Sequence, residues 1–179
     1  HQKNPVADLS IMENGFDDLE AIIRHPNVWY FRQFLQNLSV STLTEIEKYS
    51  MIRICELNFL GRHPTPIRLR AMWGLHAFNK TISESYLNDP NEHIRAWLIR
   101  LMMDDQPIDT LFGPREKALP TISPEIMQKL VQQAIMDASG LVRLTLASTL
   151  QRLPVESRGE LAKALAFRSE DINDHNIPL

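Results

Sequence analysis

The chain is poor in several things, and each shortage excludes something. It has one cysteine, Cys55, so no intramolecular disulfide and no CxxC metal or haem-attachment motif can form within it. Cys55 reads as a small, buried, apolar side chain on a helix. Six glycines are too few for a turn-rich β protein, and no stretch alternates apolar and polar residues for the length of a strand. There is no basic excess: 19 lysines and arginines face 22 aspartates and glutamates, for a net charge of -3. A general nucleic-acid binder would carry a basic stripe, so none is expected as a partner. No apolar run approaches the roughly 20 residues of a membrane span. The sequence begins at His1, not at a methionine, and ends abruptly at Leu179. It is expected to be a piece of a longer protein whose targeting signals lie elsewhere.

What is present is helical periodicity. Residues 1–15 read as an extended lead-in and residues 16–170 as a single helical domain. A Pro-rich loop covers 105–123, and residues 171–179 lead out toward a downstream domain. Helices are expected near 16–24, 26–38, 42–59, 65–78, 81–87, 90–104, 123–137, 139–153 and 156–168. Capping signals open four of them. Thr42 with Glu45, and Thr81 with Glu84, fit a hydroxyl cap answered by a glutamate. Asp89-Pro90 and Ser123-Pro124 place proline where a missing backbone donor costs nothing.

Four helices align on an arginine: Arg32, Arg70, Arg95 and Arg143. One before it, and two, three, six and seven after it, lies one helical face. On that face sit Phe31, Phe34, Leu35, Leu38 and Ser39; Leu69, Met72, Trp73, His76 and Ala77; Ile94, Trp97, Leu98, Leu101 and Met102; and Val142, Thr145, Leu146, Thr149 and Leu150. All but Ser39, His76, Thr145 and Thr149 are apolar. Asp89 and Asp137 precede Arg95 and Arg143 by the same interval, and His25-Pro26 and His63-Pro64 hold the equivalent place before Arg32 and Arg70. An arginine beside the core buries its stem and keeps its head on a carboxylate. Arg32, Arg70, Asp89, Arg95, Asp137 and Arg143 are therefore read as a structural ladder, with Asp89 and Asp137 capping helices and facing guanidinium groups.

The pattern D-x-x-x-x-[IV]-R resembles the HEAT-repeat family. That resemblance implies a right-handed α-α superhelix of about four helix pairs, with arginines and aspartates pairing along the stack. "HPNVWYFRQFLQ", "RLRAMWGL", "DPNEHIRAWLIRL" and the closing "DINDHNIPL", with Asp174, Asn176, Pro178 and Leu179, further resemble the HEAT-like region of large bacterial multidomain membrane-bound dehydrogenases. In that family a β-propeller comes first and a c-type cytochrome domain often follows. The resemblance implies an exported, periplasmic or membrane-associated parent. It carries no catalytic residue and no cofactor into this stretch, since the redox chemistry would belong to the propeller and the haem domain.

A search for chemistry of the chain's own returns little. There is no HExxH, no glycine-rich phosphate loop and no G-x-S-x-G. His25, His63, His76, His93 and His175 are widely spaced, with no pair one helical turn apart, and His25 and His63 read as caps or packing groups. Trp29 and Tyr30 cannot both share the face of Phe31; the two are candidate partner contacts, as are Leu111 and Phe112 in the Pro-rich loop. The expected function is a non-catalytic scaffold or domain-docking module. Its partners would be flanking domains of the same chain or another protein. Two alternatives stand beside it: a HEAT-like enzyme acting on modified DNA bases, and a free-standing protein-interaction repeat.

Overall fold

The computed structural model describes residues 18–38, 43–106 and 122–172. Leu111, Phe112, Asp174, His175, Asn176, Pro178, Leu179 and the lead-in 1–15 lie outside the described residues. So do most of the Pro-rich loop and the cap expected at Thr42.

The described residues are helical, with no strand among them. They divide into two compact units between Ile82 and Ser83. The first contains α1 (Leu19–Arg24), α2 (Val28–Leu38), α3 (Glu45–Leu60) and α4 (Thr65–Ala77). The second opens on a 3-10 turn, Glu84–Asn88, and continues with α5 (Glu92–Met102), α6 (Pro124–Met136), α7 (Gly140–Thr149) and α8 (Gly159–Ala166). Each helix expected from periodicity has a counterpart, with ends shifted by a few residues; the one expected at 81–87 is the 3-10 turn.

The caps explain most of those shifts. Ser123 caps α6 by accepting from the Ile126 N–H, with Pro124 at the first helical position, as expected. Thr44 caps α3: its hydroxyl accepts from the Glu47 N–H, and Glu47 reaches back to the Thr44 N–H at 2.8 Å. These bonds, side chain first and backbone second, hold the Glu47 carboxyl below its ordinary value. Ser83, not Thr81, caps the 3-10 turn. At α5 the cap is Asn91, whose side chain accepts from the His93 N–H. Asp89 stands two residues earlier and accepts from the Asn91 N–H.

Packing within the two units is similar. In the first unit α1 packs on both α3 and α4, and α2 on α4, while α1 joins α2 and α3 joins α4. In the second, α5 packs on α7 and α6 on α8, while α6 joins α7 and α7 joins α8. Helices of like position in successive pairs therefore meet. The first core gathers Leu19, Ile22, Phe31, Phe34, Met51 and Met72; the second gathers Ile94, Leu98, Ile99, Leu130, Leu146 and Leu161. Among the described residues no helix is long and apolar enough to cross a membrane.

Cys55 is buried, as expected, and burial, with Glu56 adding to it, pushes its thiol up to about 12. It faces Gly74 across the α3–α4 contact, where a Cβ on residue 74 would stand 2.6 Å from Sγ. Gly74→Ala should therefore destabilise this unit by about 1–2 kcal/mol, the overpacking cost exceeding the gain in helix propensity. Cys55→Ala removes the obstruction, so in that background Gly74→Ala should become stabilising. Urea unfolding of the four chains of this cycle checks it, and additive effects would refute the contact.

Candidate functional site

The most organised polar structure in the second unit is a run of guanidinium–carboxylate rungs. Arg95 lies four residues past the cap of α5 and reaches Asp137 at the end of α6. Its Nε donates to Oδ2 at 2.7 Å and its Nη2 to Oδ1 at 2.8 Å. Its Nη1 donates to the Asp89 carbonyl at 2.8 Å. Arg143 repeats the arrangement one pair later. It lies four residues past Ser139, the cap of α7. Nη1 donates to the Asp137 carbonyl at 2.9 Å, and Nε and Nη2 grip both oxygens of Asp171. Each rung thus ties a helix to its own preceding turn and to the turn of the next pair.

Asp137 is the hub. Its Oδ1 also accepts from the Ser139 N–H at 2.8 Å, and Oδ2 accepts from the Gln133 amide. Its side chain is 2% exposed. Burial alone would raise the Asp137 carboxyl; hydrogen bonds from Arg95, the Ser139 N–H and Gln133 outweigh it and hold the group below the usual carboxylate range. Hydrogen bonds to Asp137 raise Arg95 against its desolvation, and those to Asp171 raise Arg143 in the same way. Beside the hub, Arg168 donates to the carbonyls of Ile135 and Asp137. Two guanidiniums therefore close the carboxyl end of α6, where helix carbonyls lack partners.

The ladder read from sequence is placed unevenly. Arg95, Asp137 and Arg143 are on it. Asp89 serves it through its carbonyl, while its carboxylate caps the turn before α5. Arg70 is buried but donates to the carbonyls of Ile23 (2.9 Å) and His25 at the end of α1. Burial pushes its guanidinium below its ordinary value. Arg32 is exposed on α2. The reason lies in register. The Asn27 side chain accepts from the Trp29 N–H, as Asn91 does from His93. Four residues past Asn27 comes Phe31, which is fully buried; Arg32 is one step round the helix. In α4, Arg68 stands four past Pro64 and donates to the Phe59 carbonyl at 3.1 Å. The residue four past the turn is thus Phe31 on α2 and Arg68 on α4, against Arg95 on α5 and Arg143 on α7.

Asp171 is not singled out by the sequence pattern, since it lacks the Ile-Arg or Val-Arg that follows Asp89 and Asp137. Of the aromatic pair, Tyr30 is buried, with the His25 ring 4.3 Å away edge-on, and only Trp29 presents a surface. His25 accepts from the Asn27 N–H at 3.0 Å and so serves the turn, as expected.

A cleft of about 330 Å³ lies between α5 and α7, lined by Trp97, Arg100, Asp104, Thr145, Ser148 and Arg152. The hydroxyl protons of Thr145, Ser148 and Thr149 are spent on carbonyls one turn back. Arg152 donates to the Gln106 carbonyl at 2.7 Å, and Arg100 lies over the Trp97 ring at 5.0 Å. Among the described residues no group of three His, Cys, Asp or Glu is placed to hold a metal ion. Compared with protein-family models, curated proteins and solved structures, the chain matches none.

Proposed function

We propose that the chain is a HEAT-like α-solenoid, a right-handed stack of about four helix pairs, acting as a non-catalytic scaffold that holds neighbouring domains at fixed separation. The observation that carries this reading is the repeated rung, Arg95 to Asp137 and Arg143 to Asp171, joining each helix pair of the second unit to the next. A stack so joined behaves as a quasi-one-dimensional rod, and its value to a larger protein is geometric. The sequence likeness described above suggests the larger protein: a bacterial multidomain dehydrogenase with a β-propeller before this region and a cytochrome domain after it.

The test is twofold. The reading frame on either side should encode a propeller upstream and a CxxCH-containing domain downstream. Each of those domains, produced separately, should bind this chain saturably in titration calorimetry. Flanks of another kind would remove the dehydrogenase parent, and absence of binding would remove the docking role. Salt-dependent binding of duplex DNA carrying alkylated bases would instead favour a DNA-base enzyme.

A further inference from the structure

Helix α3 is apolar on two opposite faces. One packs inward through Met51, Cys55 and Phe59. The other is open: Ile46 is 79% exposed, Tyr49 71%, Leu57 55% and Leu60 62%. With Arg53, which is also exposed, these residues fall within about 80° of one another on the helix. Over the span from Ile46 to Leu60 the stripe is about 21 Å long. Exposed apolar residues scattered singly need no explanation, whereas four in one helical row mark a surface that associates.

We propose that this face of α3 docks on the same face of a second copy of the chain, antiparallel about a two-fold axis at Arg53. The argument is self-complementarity. Counted from Arg53, the apolar residues lie seven and four before it and four and seven after it. Antiparallel docking therefore sets Ile46 against Leu60 of the second copy and Tyr49 against its Leu57, which is the isologous contact a two-fold dimer requires.

The charges at the centre obey the same symmetry. Arg53 pairs with Glu56 at 3.0 Å on its own helix. Across the axis, Glu56 of the second copy comes level with Ser50, as far from Arg53 on one side as its own Glu56 is on the other. Each guanidinium then lies between two carboxylates, which offsets the approach of the two Arg53 side chains at the axis, while Lys80 stays 3.8 Å from Glu56 on its own chain. The capping box at Thr44 and Glu47 fixes the start of the helix beside the stripe. One helix row covers less than the roughly 800 Å² per partner of a standard interface, which places the contact among weak, reversible associations. This inference does not depend on the scaffold reading.

Sedimentation velocity of the full chain from about 5 to 200 µM should show a monomer–dimer equilibrium in that range. Leu57→Glu and, separately, Tyr49→Glu should abolish the dimer with the circular-dichroism melting curve unchanged. Arg53→Glu should weaken it by tenfold or more, and the swap Arg53→Glu/Glu56→Arg should restore it. Ile46→Cys mixed with Leu60→Cys should cross-link between copies under oxidised glutathione, while neither variant cross-links alone. A chain that stays monomeric throughout overturns the proposal. So does a dimer indifferent to both glutamate variants, or cross-linking by either single cysteine variant as strong as in the mixture. A flanking domain that takes the stripe while the chain stays monomeric overturns it equally.

Discussion

Asp137→Ala should cost about 3–5 kcal/mol of unfolding free energy, the scale for breaking a buried ion pair by removing one partner. The loss has three parts. Arg95, only 14% exposed at its side chain, is left without its carboxylate. The Ser139 N–H loses an acceptor at the turn into α7, a capping loss of about 1 kcal/mol. The Gln133 amide loses one as well. Paired with Arg95→Met in a double-mutant cycle, the coupling should exceed 1 kcal/mol, because the two groups share two hydrogen bonds. Urea unfolding of residues in the second unit measures it; a cost within about 0.5 kcal/mol, typical of a surface substitution, would show that the hub is ornamental.

The same residue predicts a dependence on pH. Its carboxyl lies below its ordinary value in the folded chain. The stability it contributes is therefore fully present above the unfolded carboxyl value of about 3.9, and is lost as pH falls through the lower folded value. Asp137→Asn should lack that part of the acid limb: the gap in stability between the native chain and the variant should narrow below pH 4. A gap of constant size down to acid unfolding would contradict the pairing.

The second large effect belongs to Arg143. Its side chain is 5% exposed and that of Asp171 8%, so Arg143→Met strands a carboxylate in the interior and should also cost about 3–5 kcal/mol. The damage should be directional. Amide exchange should quicken most in α8 and around Asp171, because this rung links that segment to α7. Replacing both partners, as Arg143→Met/Asp171→Leu, removes the stranded charge and should recover most of the loss. A double variant as unstable as the sum of the two single ones would mean that the groups act separately, and the description of a rung would be wrong.

Helix content was plain, because the apolar period and the Ser123-Pro124 cap are local signals. Asp137 and Arg143 were found because a turn aspartate and the arginine that donates to its carbonyl lie on the same short stretch. Cap signals are local too: Thr44 and Thr42 both precede a glutamate at capping distance, and which one caps depends on where the chain enters the helix. The exposed row on α3 could be listed but not interpreted, since a helix apolar on two faces does not declare which one is inside.

By itself, then, the chain determined its helices, their approximate ends and the matching spacing of Asp89 to Arg95 and Asp137 to Arg143. Tertiary structure alone decided that Asp171 completes the second rung, that Phe31 and not Arg32 holds the matching place on α2, that Arg70 ends on carbonyls of α1, and that Met51, Cys55 and Phe59 point inward while Ile46, Tyr49, Leu57 and Leu60 do not. The physical reason is one of range. Helix formation and capping are governed by neighbours within a turn or two, whereas a guanidinium's partner and a helix's buried face are set by whatever packs opposite, tens of residues away along the chain.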